Sequence, residues 1–556
     1  MRAKACTKCR QWKARCEYGE DDSAGCSRCR ALKLPCVFDA SFKRTSRAKS
    51  LQMMSSRIEE LQEALREKSP SNGSSSQTRE HNETLPLNDW SPQLPSIVNT
   101  IAVAEPPMPD LQPIPPAPSI SSAGTTSTGY RTLGNVSLTY GQINEHFKTY
   151  FARCHQYLPF KMTTHSPDPI YTKSPLLFWV ICTTAASWRL RCELAPAVKA
   201  MLADSIYSFP RSVEQVQALL IMSMWPFPVS SVMEDVSHYY CCLATQMALH
   251  LGLHRPTQTH LHEHGMEERE NARAVGEEVK TTTWLSCFIV NQKLSAIRGL
   301  PPSILIDVHL LNAFEKRSIN VRLSQLCRIF HVLMQANLAI SANGSTPSGM
   351  LEPEQRLNTI KSWAEHFLIL EQQHLQGMDN VVKIAFLSSR LQLWSFALLD
   401  DMPVSSSLIA FIDNARRDAS VLIESCYSQN LSIVPACIRH AMCYSAFILV
   451  KILRSGYSSE SEVLQDDVER VRQALSTTSG TPDDTHHKAC ETLRRLLYIE
   501  DKKLSPPIHT RMGASVVYDL LRIYAEDKYC NVPNHGAENP VIDLEGLDWN
   551  FLDMLG

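Results

Sequence analysis

No run of apolar residues in this chain reaches the roughly 18 to 20 needed to cross a bilayer. The best candidate, Leu176 to Trp188, is followed at once by Arg189 and Arg191 and reads as a buried helix. The opening residues, Met1 to Cys9, are basic and cysteine-bearing where a secretory leader is apolar. The expectation is therefore no signal peptide, no membrane partner and a reducing compartment, in which cysteines are thiols or metal ligands. A Gly-rich phosphate loop and a nucleophile elbow are both lacking. His250 and His254 stand four apart, but the glutamate of a zinc-protease motif is missing and Gly252 lies between them, so a helix-end histidine is expected. His260, His262 and His264 alternate in a polar stretch that reads as a solvated loop. Catalysis is not expected.

What is present is unevenly placed. The 556 residues carry a formal charge of -2, which hides a basic head. Residues 1–50 hold thirteen Lys and Arg against five Asp and Glu, net +8, so the remainder carries -10. A basic head on an acidic body points to a polyanion at one end. Six of the eighteen cysteines fall between Cys6 and Cys36, and the other twelve are scattered from Cys154 to Cys530 as expected core residues.

Composition divides the chain into residues 1–40, a cysteine-rich head; 41–68, a linker and short helix; 69–130, a disordered linker; 131–530, a large all-helical body; and 531–556, an acidic tail. The fold class is mainly α. The stretch from Ser69 to Tyr130 contains eleven prolines, a composition that cannot bury enough surface to offset chain entropy. In the body, helix-period patterns dominate. Ser212 and Gln215 before Val216, Leu219 and Leu220 form a capping-box signature, while Gly299, Pro301 and Pro302 end a long amphipathic pattern that begins near Met266.

The head reads Cys6-Thr-Lys-Cys9, then Cys16 after six residues, and repeats as Cys26-Ser-Arg-Cys29, then Cys36 after six more. Tetrahedral zinc takes four ligands, so six thiolates saturate two zincs per chain only by sharing two sulfurs. Each CxxC opens a helical turn, and Pro35 imposes an extended approach on the segment leading to Cys36. So short a segment holds little apolar core, so metal binding supplies its folding free energy. Paired disulfides, or a four-cysteine ribbon with two spectators, are the alternatives. Lys8, Arg10, Lys13 and Arg15 between the first cysteines suit a turn entering the major groove of double-stranded DNA.

This pattern resembles the fungal Zn(2)-C6 binuclear cluster family. The resemblance implies that Cys6 and Cys26 bridge the two zincs and that Cys9, Cys16, Cys29 and Cys36 are terminal. It also assigns base readout of CGG triplets to Lys13, which can donate to guanine O6 and N7. Lys8, Arg10 and Arg15 make either directed phosphate contacts or non-specific ones. Trp12 stands where the family commonly has a basic residue. Leu51, Met54, Ile58, Leu61 and Leu65 occupy a and d positions of a short heptad frame. In the family such a helix pairs two zinc modules; the alternative is a lone amphipathic helix against the body. Residues 37–50 would set half-site separation, and Lys43, Arg44, Arg47 and Lys49 contact phosphate or direct entry to the nucleus.

Two stretches of the body resemble the middle homology region of the same family. One is Ser212 to Pro256, ending Met247-Ala-Leu-His-Leu-Gly-Leu-His-Arg-Pro256; the other is Trp284 to Pro301. Tyr157-Leu-Pro and Ser174-Pro-Leu-Leu-Phe-Trp179 add to the likeness. Where members often carry paired tryptophans, Asp-Arg and Gly-Arg-Pro, this chain has Trp284-Leu285, Asn291-Gln292 and Gly299-Leu300-Pro301.

After Lys528 no Lys or Arg occurs, and acids alternate with bulky apolar residues to Gly556. Trp549, Phe551, Leu552 and Leu555 are the expected activation residues, kept solvated by carboxylates until a coactivator groove accepts them. A terminal helix docked on the body is the alternative. The sequence thus reads as a nuclear, homodimeric, DNA-binding transcription activator. A repressor, or a receptor whose body binds a small-molecule effector, is the alternative reading.

Overall fold

The computed structural model describes residues 6, 7, 9, 16, 26–31, 36, 37, 129–207, 211–229, 234–257, 275–457, 461–478, 485–499 and 509–530. The chain divides into two compact units, Met1–Ser119 and Ile120–Gly556. The expected heptad residues Leu51, Met54, Ile58, Leu61 and Leu65 lie outside the described residues, as do residues 69–128 of the Pro-rich linker and the tail residues Trp549, Phe551, Leu552 and Leu555.

In the first unit the described helix is α1 (Ser27–Ala31), opened by the second CxxC. The second unit begins with a hairpin, β1 (Tyr130–Leu133) paired antiparallel to β2 (Val136–Thr139), with Leu133 opposite Val136. The hairpin corrects the all-helical expectation for this region and takes in Tyr130, the last residue of the expected disordered linker. Its strands are four residues each, too short to stand out at helical period, and Gly134 reverses the chain at φ +57. Thr139 then caps the next helix, exchanging bonds with Gln142 in a capping box.

Sixteen further α-helices follow among the described residues. They are α2 (Tyr140–Thr149), α3 (Pro167–Lys173), α4 (Pro175–Ala185), α5 (Trp188–Asp204), α6 (Val213–Met224), α7 (Ser237–His250), α8 (Glu277–Arg298) and α9 (Val308–Phe314). Then come α10 (Val321–Ile340), α11 (Pro353–His374), α12 (Asn380–Ser395), α13 (Ser406–Tyr427), α14 (Ala436–Ser455), α15 (Ser461–Thr478), α16 (Thr485–Leu496) and α17 (Ser515–Cys530). Sequence neighbours pack on one another, α6 on α7, α12 on α13, α13 on α14 and α15 on α16. One continuous hydrophobic core reaches from Leu138 to Ala525.

The expected capping box at Ser212 is present: its side chain accepts from the Gln215 amide, and Gln215 returns a bond to the Ser212 backbone. Leu176 to Thr184 are buried along α4, as the run there predicts, but the helix ends at Ala185 and Trp188, which opens α5, is exposed. The pattern expected to be amphipathic from Met266 is different in kind. Its helix starts at Glu277, and every residue from Val279 to Ala296 is buried, so α8 is a central strut that packs against α6, α7 and α10. Its polar side chains are absorbed internally, as when Ser286 Oγ bonds the Thr282 carbonyl and Gln217 reaches Thr283. Gly299 closes α8 at φ +61, where a Cβ would stand 2.1 Å from the Arg511 carbonyl oxygen.

Two segments, Asn380–Leu398 and Ala436–Ser455, are long and apolar enough to cross a bilayer, contrary to the expectation that none is. In the fold 83% and 67% of their apolar windows are buried inside the body, as core helices are. Of the scattered cysteines, Cys154, Cys182, Cys241, Cys287, Cys327, Cys426, Cys443 and Cys490 are buried. Cys192 is exposed and corrects the expectation for that position, while Cys242 and Cys437 are intermediate. Burial pushes the Cys241 and Cys443 thiols up to about 12, so they behave as small apolar residues.

Candidate zinc cluster and nucleic-acid interface

The repeat in the sequence becomes a repeat in space. In the first half, Cys6 N–H points at Cys16 Sγ at 3.4 Å and Cys9 N–H at Cys6 Sγ at 3.4 Å. In the second half, Cys26 N–H points at Cys36 Sγ at 3.3 Å and Cys29 N–H at Cys26 Sγ at 3.4 Å. Such amide contacts favour sulfur as thiolate. Thr7 ties the two ends, donating both its amide and its hydroxyl to the Val37 carbonyl, at 2.9 and 3.0 Å.

The sulfurs converge in two groups. Cys6, Cys9, Cys16 and Cys26 have all Sγ atoms within 4.8 Å of one another, as do Cys6, Cys26, Cys29 and Cys36. Cys6 and Cys26 belong to both. Their Sγ atoms are 3.9 Å apart, with Cys6 to Cys29 and Cys9 to Cys26 each at 3.7 Å. A disulfide requires about 2.05 Å, so these are thiols. Two sulfurs sharing a tetrahedral zinc at about 2.3 Å each stand about 3.8 Å apart, which is the spacing found.

Electrostatics points the same way. Burial and the Cys26 and Cys6 thiols beside it push Cys29 up to about 12, and burial raises Cys6 and Cys9 as well. Six clustered thiols resist ionising together unless cations compensate them. Two zinc ions supply that compensation, and the six-sulfur donor set fits them. Cys6, Cys9, Cys26 and Cys29 are each buried to 2% exposure or less and constitute the small core of this unit. Metal-ligating groups among the described residues are these two alone. His250 lies in the last turn of α7 and His254 in the turn beyond it, 6.0 Å from the Trp284 ring, while His260, His262 and His264 lie outside the described residues.

Lys8, Arg10, Lys13 and Arg15 also lie outside the described residues. Two cations that the sequence reading did not single out, Arg28 and Arg30, project exposed from α1 beside the second cysteine pair. The signal was available, since they occupy the second repeat much as Lys8 and Arg10 occupy the first.

Residues 4–45 match the fungal Zn(2)-Cys(6) binuclear cluster domain and residues 147–322 the fungal specific transcription factor domain. The chain thus carries a region similar to each of these two fungal domains. It is 26% identical to "Transcriptional regulatory protein SEF1" of Candida albicans over 96% of its own length and 65% of that relative. It is 25% identical to "Putative transcription factor SEF1" of Eremothecium gossypii over 74% of its length and 40% of the relative. For "Regulatory protein LEU3" of Saccharomyces cerevisiae the identity is 23%, over 71% of this chain and 51% of that one. The chain thus spans between about two fifths and two thirds of these relatives. No solved structure matches it.

Within the region similar to the fungal specific transcription factor domain, geometry gives physical content to the motifs. Ser174 caps α4 by accepting from the Leu177 amide, with Pro175 at the first helical position. Asn291 locks the loop after α8 by donating to Ser303 Oγ at 2.7 Å and accepting from its amide at 3.1 Å. Tyr157 donates to Gln429 at 2.9 Å, tying the matched region to helices beyond it. A cavity of about 90 Å³ opens between α8, α12, α14 and α17, lined by residues that include Lys293, Ser389, Arg439 and Val517. Sequence inspection did not anticipate it, because its walls come from segments more than two hundred residues apart.

Proposed function

We propose that this protein is a sequence-specific regulator of RNA polymerase II transcription, an activator that binds CGG-type half-sites as a homodimer in the nucleus. The observation that carries the reading is the sharing of Cys6 and Cys26 between both sulfur groups, which suits a binuclear zinc module and no other described feature of the chain. In this reading the head comprises residues 1–40, with Cys9, Cys16, Cys29 and Cys36 as terminal ligands. Lys13 reads guanine edges, and Lys8, Arg10 and Arg15 hold phosphates. The heptad residues Leu51 to Leu65 join two copies, residues 131–530 regulate, and the tail from 531 recruits coactivators through Trp549, Phe551, Leu552 and Leu555. The names of the relatives support the regulatory role. The test is competition binding of full-length protein at fixed salt. Lys13→Met is expected to abolish the preference for CGG over scrambled DNA, whereas Arg10→Ala weakens both evenly; a preference retained in the Lys13 variant would place readout elsewhere.

A second reading, control by a small-molecule effector, is supported by the cavity in the body. It is compatible with the first, since a DNA-binding head and a ligand-binding body can reside in one chain.

A further inference from the structure

The two ends of the head are joined by a contact that involves no sulfur. Thr7 donates its backbone amide to the Val37 carbonyl at 2.9 Å and its hydroxyl to the same oxygen at 3.0 Å. A carbonyl oxygen has two lone pairs and accepts both. Each partner adjoins a ligand position. Thr7 follows Cys6, which belongs to both sulfur groups, and Val37 follows Cys36, which belongs to one. Thr7 also precedes Lys8, in the segment to which the reading above gives the DNA contacts.

Little else holds Val37. Its side chain is 55% exposed, so packing does not fix it. Cys36 before it is tied through its sulfur, which receives the Cys26 amide at 3.3 Å and stands in the second sulfur group. A cysteine held at Sγ can still turn its backbone about the side-chain bonds. The contact with Thr7 removes that freedom, since it pins a backbone oxygen one residue further on. In the homodimer reading the chain beyond Val37 joins one head to the other, so Val37 is the point from which the separation of two heads is measured. An extended chain advances about 3.4 Å per residue and a DNA duplex about 3.4 Å per base pair. A slip of one residue at the exit therefore equals about one base pair of half-site separation. That base pair also turns the second half-site by about 34° around the duplex axis.

We propose that Thr7 is a positioning residue for half-site spacing. By clasping the Val37 carbonyl it fixes where, and in which direction, the chain leaves the zinc module, and so narrows the range of separations between CGG half-sites that the homodimer accepts. The proposal rests on the homodimeric CGG reading above and adds to it a residue outside both the metal ligands and the cations. The two hydrogen bonds differ in how they can be removed. The amide bond survives every substitution except proline, so the module still closes without the hydroxyl. Loss of the hydroxyl bond lets the Val37 carbonyl tilt. A neutral hydrogen bond near solvent favours one arrangement by a factor of about three.

The experiment measures binding of zinc-loaded full-length protein, at fixed salt, to duplexes carrying one CGG triplet and to a series carrying two, with the gap varied over about one helical turn in each relative orientation. The unchanged chain is expected to favour one gap over its neighbours. Thr7→Val keeps the shape and the amide bond but loses the hydroxyl. It is expected to reduce that preference by about threefold or more, with zinc content and single-triplet affinity unchanged. Thr7→Ser restores the hydroxyl and is expected to keep the original preference. An undiminished preference in Thr7→Val, matched by Thr7→Ala, would overturn the proposal. So would an equal fall in affinity for one triplet and for every gap, which would make Thr7 a phosphate contact. Loss of zinc from both the Val and the Ala variants would overturn it too, making the clasp a condition of folding. If the unchanged chain binds paired triplets no more tightly than a single one at any gap, the homodimeric reading fails, and the proposal with it.

Discussion

Cys26 and Cys16 differ in what their loss removes. Cys26 belongs to both sulfur groups and Cys16 to one, so Cys16→Ser leaves Cys6, Cys26, Cys29 and Cys36 able to hold an ion. Cys26→Ser is expected to release both zincs and unfold the head, whereas Cys16→Ser retains one per chain. Metal analysis of the purified variants reads this directly, and equal zinc content in the two would remove the distinction between shared and terminal sulfurs. These six residues were legible in the sequence because a CxxC repeat is local: its meaning lies in spacing along the chain. Lys293 and Ser389 were not, since a lysine within an apolar helical run and a serine on another helix become walls of one cavity only when α8 and α12 come together. His250 and His254 show the converse, a suggestive spacing that Gly252, at φ +69, turns into a helix end.

At the scale of elements, the end of α8 is the most constrained junction described. Gly299 adopts φ +61, and an added Cβ would fall 2.1 Å from the Arg511 oxygen and 2.7 Å from its carbonyl carbon, both backbone atoms that cannot rotate away. Gly299→Ala is therefore expected to destabilise the body by more than the ~1 kcal/mol that left-handed backbone alone costs alanine. Chemical denaturation of the full chain measures it, and a loss smaller than that would mean that the Arg511 segment yields freely. The Gly299-Leu300-Pro301 stop was readable from composition, but its reason was not, because Arg511 lies far along the chain. The capping box at Ser212 was readable for the opposite reason: its two partners are three residues apart. The hairpin at Tyr130 to Thr139 escaped notice because two short strands carry too few alternations to contrast with the helical pattern around them. The burial of α8 on all sides escaped notice too, since its many Thr, Ser and Lys residues imitate a solvated face.

At the scale of the whole molecule, a basic head organised by zinc precedes a helical body and an acidic, apolar tail. Residues 530–556 fused to an unrelated DNA-binding module are expected to activate a reporter, and Trp549→Ala with Phe551→Ala to abolish that activity. An inert tail, with a lowered melting temperature when the same changes are made in the full chain, would make it a docked structural helix. The charge asymmetry of +8 against -10 anticipates how such a protein meets a polyanion, and salt dependence should accompany every binding comparison. The most direct test of the central claim measures zinc content and DNA preference on the same full-length sample, before and after chelation. The account predicts two zincs per chain and at least a tenfold preference for CGG-containing over scrambled DNA, lost when the metal is removed. One zinc per chain, or a CGG preference that survives complete removal of metal, would contradict it.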